Sequence, residues 1–141
     1  GFLAWNWPPA KIFMGDVGSG FLGFTLAAIS IVAHVSGALE IWAWLILMSV
    51  FIVDATVTLF TRMIRGDRWL RAHRSHGYQK ASRHLGSHVA VTLTVLLINM
   101  FWLFPLAFSA AKTPENGWWL TTLAWAPLIA IALLIGSGRP D

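Results

Sequence analysis

RMIRGDRWLRAHRSHGYQKASRHLGSH, Arg62–His88, is the one long polar stretch in a chain that is otherwise mostly apolar. It carries Arg62, Arg65, Arg68, Arg71, Arg74, Lys80 and Arg83, seven of the ten Lys and Arg residues, against a single acid, Asp67. Four of the five histidines, His73, His76, His84 and His88, lie in it as well. Apolar runs long enough to cross a bilayer flank it on both sides, so it reads as a loop between membrane spans. Lys and Arg collect in loops on the cytoplasmic side, and this one therefore sets the orientation of the chain. A basic, histidine-bearing loop at that surface is a place to hold something anionic.

Composition agrees. Of the 141 residues, 57% are hydrophobic and 11% charged, where a soluble domain has about 25% charged. The fold class is therefore all-α integral membrane. The net charge of +4 is concentrated in the loop and reads as topology, so no nucleic-acid partner is expected. There is no cysteine, which excludes thiol chemistry, disulfides and cysteine metal sites. Gly1 rather than Met opens the chain, and no basic stretch with a cleavage site precedes the first apolar run. A signal peptide is not expected, and further sequence upstream is.

Outward from the loop, the pattern predicts about four transmembrane helices in a single membrane domain, residues 1–141, with the cytoplasmic loop 62–88 between the second and third. The first ten residues, GFLAWNWPPA, suit the membrane interface, where tryptophan rings settle and proline interrupts a helix. The first span is expected from Val17 or Phe21 to about Ser36. The second covers Ile41–Phe60, a length of about 30 Å at the helical rise. The third runs from about Val89 to Ala111 and contains Asn99 and Pro105. After the connector KTPENG, Trp118 and Trp119 open a fourth span that ends near Ile135, and the tail GSGRPD is expected to be flexible and cytoplasmic.

Several residues invite a chemical reading. Gly18, Gly20 and Gly23 match G-x-G-x-x-G, but that fingerprint needs a preceding strand and a soluble βαβ unit, so a dinucleotide site is rejected. Packing through small residues explains the glycines and leaves Asp16 unexplained. A carboxylate beside flexible backbone ahead of a helix suits a phosphate-bound Mg²⁺; a plain interfacial turn is the alternative. Asp54 lies inside the second span, where an ionised side chain costs roughly 2.5–3.5 kcal/mol at the centre. It either lines a cavity or pairs with a nearby Thr, Arg or His, and Thr56, Thr58 and Thr61 favour pairing. His73 and His76 share a helical face if the loop is helical, with Arg71 and Arg74 alongside. Zinc among arginines is electrostatically unfavourable, whereas phosphate is not. On charge alone, a patch for anionic lipid accounts for the loop equally well. His34 and Asn99, lone polar residues in spans, read as interhelical hydrogen bonds, and Trp102 and Trp125 as packing or lipid contacts.

Two segments together resemble a known family. NWPPAKIFMGDVGSGFLG (Asn6–Gly23) looks like the F-x-G-D-x-G-S-x-x-L-G motif of the polytopic polyprenyl-phosphate hexosamine-1-phosphate transferases, glycosyltransferase family 4. AHRSHGYQ (Ala72–Gln79) is similar to that family's histidine-bearing cytoplasmic loop, in the branch that starts O-antigen or related surface glycans. Their order and their separation by two spans match as well. The resemblance implies an enzyme of the bacterial inner membrane, with its site on the cytoplasmic side. It would transfer a sugar-1-phosphate from a UDP-sugar such as a UDP-N-acetylhexosamine to undecaprenyl phosphate, with Mg²⁺ as cofactor. Asp16 would be the metal ligand and, with His76, catalytic. Gly15, Gly18 and Ser19 would shape the Asp16 loop, and His73, Arg74 and Arg71 would hold the nucleotide-sugar phosphates or uridine. Membrane lipid would be a further partner, and a homodimer fits the family.

Two departures qualify this. Gly77, Tyr78 and Gln79 stand where other branches have further histidines, so only His76 transfers. The family's paired aspartates lie N-terminal to Asn6, so the chain reads as the C-terminal part of such an enzyme and is expected to be inactive alone. The rival readings are a small protein binding anionic lipid through its loop, and part of a transporter with a path lined by Asp54, His34 and Asn99.

Overall fold

A computed structural model describes residues 1–7, 10–12, 14–66 and 76–139, and for Leu3 and Asp16 the backbone alone. Every element among them is a helix. The chain divides into two compact units, Gly1–Ile41 and Trp42–Asp141.

In the first unit a short helix, α1 (Phe2–Asn6), precedes an irregular stretch. Asn6 Nδ2 donates to the Ile12 carbonyl at 2.8 Å, and the Lys11 ammonium lies over the Trp5 ring at 5.4 Å. The long helix α2 (Asp16–Val35) follows. Gly37 ends it at φ 71, and the Ala38 amide reaches back to the Ala33 carbonyl at 2.9 Å, a Schellman closure in which glycine takes the left-handed position.

The expected second span is broken. Helix α3 (Ile41–Leu47) and helix α4 (Ser49–Ile64) meet at an angle of 70°, where a straight helix over Ile41–Phe60 was expected. Ser49 is fully buried at the bend and accepts the indole N–H of Trp125 at 2.9 Å. Trp125 is thereby more than a packing residue. Inside the basic stretch lies helix α5 (Gly77–Leu85), capped by His76 and closed by Gly86 at φ 62. Helix α6 (His88–Ile98) starts at Ser87, whose Oγ accepts the Ala90 amide at 3.2 Å.

A π-helical turn, Asn99–Leu103, carries α6 into helix α7 (Phe104–Lys112). Pro105 would clash with and leave unpaired a carbonyl of a regular helix, and a π turn relieves this. Asn99 Nδ2 donates to Val95 O at 2.9 Å, within its own helix rather than between helices. The connector Pro114–Asn116 is a 3₁₀ turn. Helix α8 (Gly117–Ile135) then begins with Gly117 against the Trp42 ring, so tightly that no Cβ fits between them.

Three helical stretches, Val17–Val35, His88–Lys112 and Pro114–Ile135, are long and apolar enough to cross a membrane, and the bent α3–α4 pair makes a fourth if it counts as one span. Their outer surfaces are apolar and open, with Phe51 70% and Leu134 86% exposed; lipid rather than water suits such faces. In the second unit α4 packs against α8, while α5 lies across α4, α6 and α8.

Candidate functional site

The polar centre of the second unit lies where α4, the start of α5 and the end of α8 converge. Asp54 Oδ1 accepts the backbone N–H of Gly77 at 2.7 Å. Its other oxygen, Oδ2, lies 3.6 Å from His76 Nδ1. The expectation that Asp54 pairs with a Thr, Arg or His holds, but the partners are His76 and, 23 residues further on, the Gly77 amide, not the threonines of its own helix. The carboxylate occupies the N-terminal end of α5, where unpaired amides attract negative charge. His76 N donates to the Gln79 side chain at 3.3 Å, which fixes the backbone that carries the imidazole. The Tyr78 ring stacks on His76 at 5.9 Å between centroids. The His76 side chain stays 30% exposed while that of Asp54 is 17% exposed, so the ring is both held and reachable.

The third wall is the tail, expected to be flexible. Gly136, Ser137 and Gly138 are instead buried. The Gly136 amide donates to Leu133 O at 3.1 Å and the Ser137 amide to Ala132 O at 2.9 Å. This Schellman closure needs the positive φ of Gly136, 76°. The turn that follows packs on α4, since a Cβ on Gly138 would lie 2.7 Å from the Thr58 carbonyl and from Thr61 Cβ. The Ser137 and Thr58 hydroxyls are buried there. Lys80 is buried too, at 8% exposure, its ammonium 3.8 Å from where a Cβ on Gly136 would stand. A cation at the carbonyl end of α8 is electrostatically favourable. Arg62, in the last turn of α4, is likewise buried.

An apolar cleft of about 150 Å³ abuts this centre, with Asp54 and Gly77 in its lining beside Val50, Val53, Val95 and Leu128. Hydropathy marks α6 and α8 simply as spans; that they leave a gap beneath α5 depends on how α5 crosses them.

Asp16 is the first residue of α2, after Gly15 in extended conformation (φ −82, ψ 177), and Gly18 and Ser19 lie in that helix's first turn rather than in a loop. Asp16 and His76 belong to different units. Arg71, His73 and Arg74 lie outside the described residues. His34, expected to bond between helices, faces Glu40 just beyond its own helix, Nδ1 to Oε2 3.4 Å. Among the described residues no group of three His, Asp or Glu side chains is placed to hold a metal by itself.

Apolar spans around a buried polar centre define a polytopic all-helical membrane protein. The sequence profile described as glycosyl transferase family 4 matches residues 1–34. The chain is 30% identical over 123 residues to the probable undecaprenyl-phosphate N-acetylglucosaminyl 1-phosphate transferase of Bacillus subtilis (strain 168), covering 86% of the chain and 33% of that protein. It is 35% identical over 122 residues to the phospho-N-acetylmuramoyl-pentapeptide-transferase of Corynebacterium efficiens, covering 86% of the chain and 31% of that protein. To the transferase of the same name from Listeria welshimeri it is 39% identical over 80 residues, 54% of the chain and 23% of the relative. The chain thus belongs to the polyprenyl-phosphate hexosamine-1-phosphate transferase family. It spans about a third of the length of the first two of these relatives. No solved structure matches it significantly.

Proposed function

We propose that the protein transfers a sugar-1-phosphate from a UDP-N-acetylhexosamine to undecaprenyl phosphate at the cytoplasmic face of a bacterial inner membrane, starting an O-antigen or a similar cell-surface glycan. The observation that carries this is likeness across 86% of the chain to a relative named for that reaction. The family profile matches residues 1–34, which contain the Asp16 segment.

In this reading an oxygen of the lipid phosphate attacks the β-phosphorus of the UDP-sugar. The bond from that phosphorus to the bridging oxygen breaks, and UMP leaves. Asp16 would hold Mg²⁺, whose charge offsets that of the diphosphate when bound. The first-turn residues Gly18 and Ser19 lie where helix amides favour phosphate oxygens. His76 would meet the substrate phosphates through its exposed face, with His73, Arg74 and Arg71 as neighbours along the chain. The apolar cleft beside Asp54 suits the first prenyl units of the lipid.

The test is transfer of labelled sugar phosphate to undecaprenyl phosphate by membranes containing the intact protein. Asp16→Asn and His76→Ala should each lower turnover about 100-fold or more, with UMP released in step with lipid product. Turnover unchanged in both variants would defeat the assignment. Loss of anionic-lipid binding on joint neutralisation of the loop arginines, with Asp16→Asn silent, would favour a lipid-binding protein instead.

A further inference from the structure

Tyr78 belongs to two surfaces at once. Its ring stacks on that of His76, 5.9 Å between centroids, and it also lines the apolar cleft. Along α5 the lining continues through Ala81 and Leu85, spacings of three and four that share one helix face. Tyr78 therefore stands at the end of that face nearest the polar centre. Across the cleft the lining runs from Asp54 back to Val50 on α4 and from Ile135 back to Leu128 on α8, about 6 and 10 Å at the helical rise. Both oxygens of Asp54 are turned to α5, Oδ1 to the Gly77 amide at 2.7 Å and Oδ2 to His76 at 3.6 Å, so its charge is met within the wall. Such a space suits a molecule with an anionic end and an apolar body. The basic stretch Arg62–His88, which contains α5, supplies the cations for the anionic end. The body has little room: an apolar cavity of about 150 Å³ takes a benzene-sized guest, and a single isoprene unit is of that size. Tyr78 remains 53% exposed, enough to meet a ligand and to be replaced without opening the core.

We propose that Tyr78 is a specificity-determining residue for the lipid acceptor: its ring packs on the isoprene unit next to the phosphate, which keeps that unit in the cleft and the phosphate at the polar centre. This deepens the transferase reading and rests on it. The contact belongs to the aromatic ring, so phenylalanine can supply it and alanine cannot. Anchoring at the membrane interface, the ordinary task of an exposed tyrosine near a span, makes a different demand. It acts on the whole protein and is indifferent to a ligand too short to need the bilayer.

Geranyl phosphate, two isoprene units on a phosphate, is such a ligand. With the intact protein in nanodiscs, Tyr78→Ala should weaken its binding about tenfold, the scale of one apolar group lost from a pocket, and Tyr78→Phe should leave it within about twofold. In turnover by the same proteins, Tyr78→Ala should raise the KM for undecaprenyl phosphate by a similar factor, with kcat and the KM for the UDP-sugar unchanged, the mark of lost ground-state binding. A diazirine on the first isoprene unit of the probe should label Tyr78 or its neighbour on that face, Ala81, in the unaltered protein, a readout that needs no variant to fold. Unchanged binding in Tyr78→Ala, equal losses in the alanine and phenylalanine variants, a KM change confined to the UDP-sugar, or labelling confined to other residues would each overturn the proposal. If the unaltered protein binds geranyl phosphate through Tyr78 and transfers no sugar phosphate, the transferase reading fails alone.

Discussion

Gly77 and Ser137 approach each other so closely that a Cβ on the glycine would lie 2.5 Å from the serine Oγ and 2.8 Å from Asp54 Oδ1. The start of α5, the middle of α4 and the turn after α8 are therefore fitted around a residue that must have no side chain. Gly77→Ala should cost about 1–3 kcal/mol, as overpacking does, and should lower activity by displacing the neighbouring His76. Adding Ser137→Gly removes the nearest clashing atom and should restore part of the loss. Thermal unfolding in detergent and turnover, measured on both proteins, check this; a fully stable and active Gly77→Ala protein would contradict the packing described.

Gly138 and Gly86 both have positive φ, 80 and 62 respectively, but differ in surroundings. A Cβ at Gly86 meets nothing within 4 Å, while one at Gly138 meets α4 backbone at 2.7 Å. Gly86→Ala should therefore cost only the left-handed backbone penalty, about 1–2 kcal/mol, and Gly86→Asn less. Gly138→Ala adds a steric term and should destabilise by roughly 3 kcal/mol or more. Denaturant titration of the three variants ranks them, and equal losses for the two alanine substitutions would count against a packed tail.

Trp125 Nε1 and Ser49 Oγ, 2.9 Å apart, tie α8 to the bend between α3 and α4. Ser49→Ala leaves the indole N–H unpaired and should cost about 0.6–1.7 kcal/mol, the range for such bonds between membrane helices. Trp125→Phe in that background removes the orphaned donor, so the coupling between the two substitutions should be measurable in a double-mutant cycle. Strict additivity would mean the bond contributes nothing.

Ala81 lines the apolar cleft next to Tyr78. Ala81→Leu would fill part of it without introducing a polar group, so folding should be kept or slightly improved. If the cleft takes the prenyl chain, the KM for undecaprenyl phosphate should rise severalfold while that for the UDP-sugar stays unchanged. A rise in the sugar-nucleotide KM alone would place the lipid elsewhere.

Much of the architecture was legible in the sequence, because hydropathy and Lys/Arg placement report the bilayer directly. The starts of α2 and α8, the end of α8 at Ile135 and the continuity of His88–Lys112 through Pro105 lie within a few residues of expectation. The 70° break at Met48 was not legible: no proline or glycine marks it, and it depends on Trp125 and Ser49 meeting from distant parts of the chain. Nor was the packed tail, since Gly-Ser-Gly reads as a flexible linker until its glycines are seen to allow contact with α4.

For the site, the sequence alone marked Asp16, Asp54 and His76 as needing a chemical reason. A carboxylate in an apolar span and histidines among arginines carry that information wherever the chain folds. The tertiary structure alone decided that Asp54 belongs to His76 and Gly77, and that Ser137 and Gly138 close the same centre. Hydrogen bonding and steric fit act over about 3 Å, a range that separation along a sequence does not record, and chain folding is what brings residues 23 apart within it.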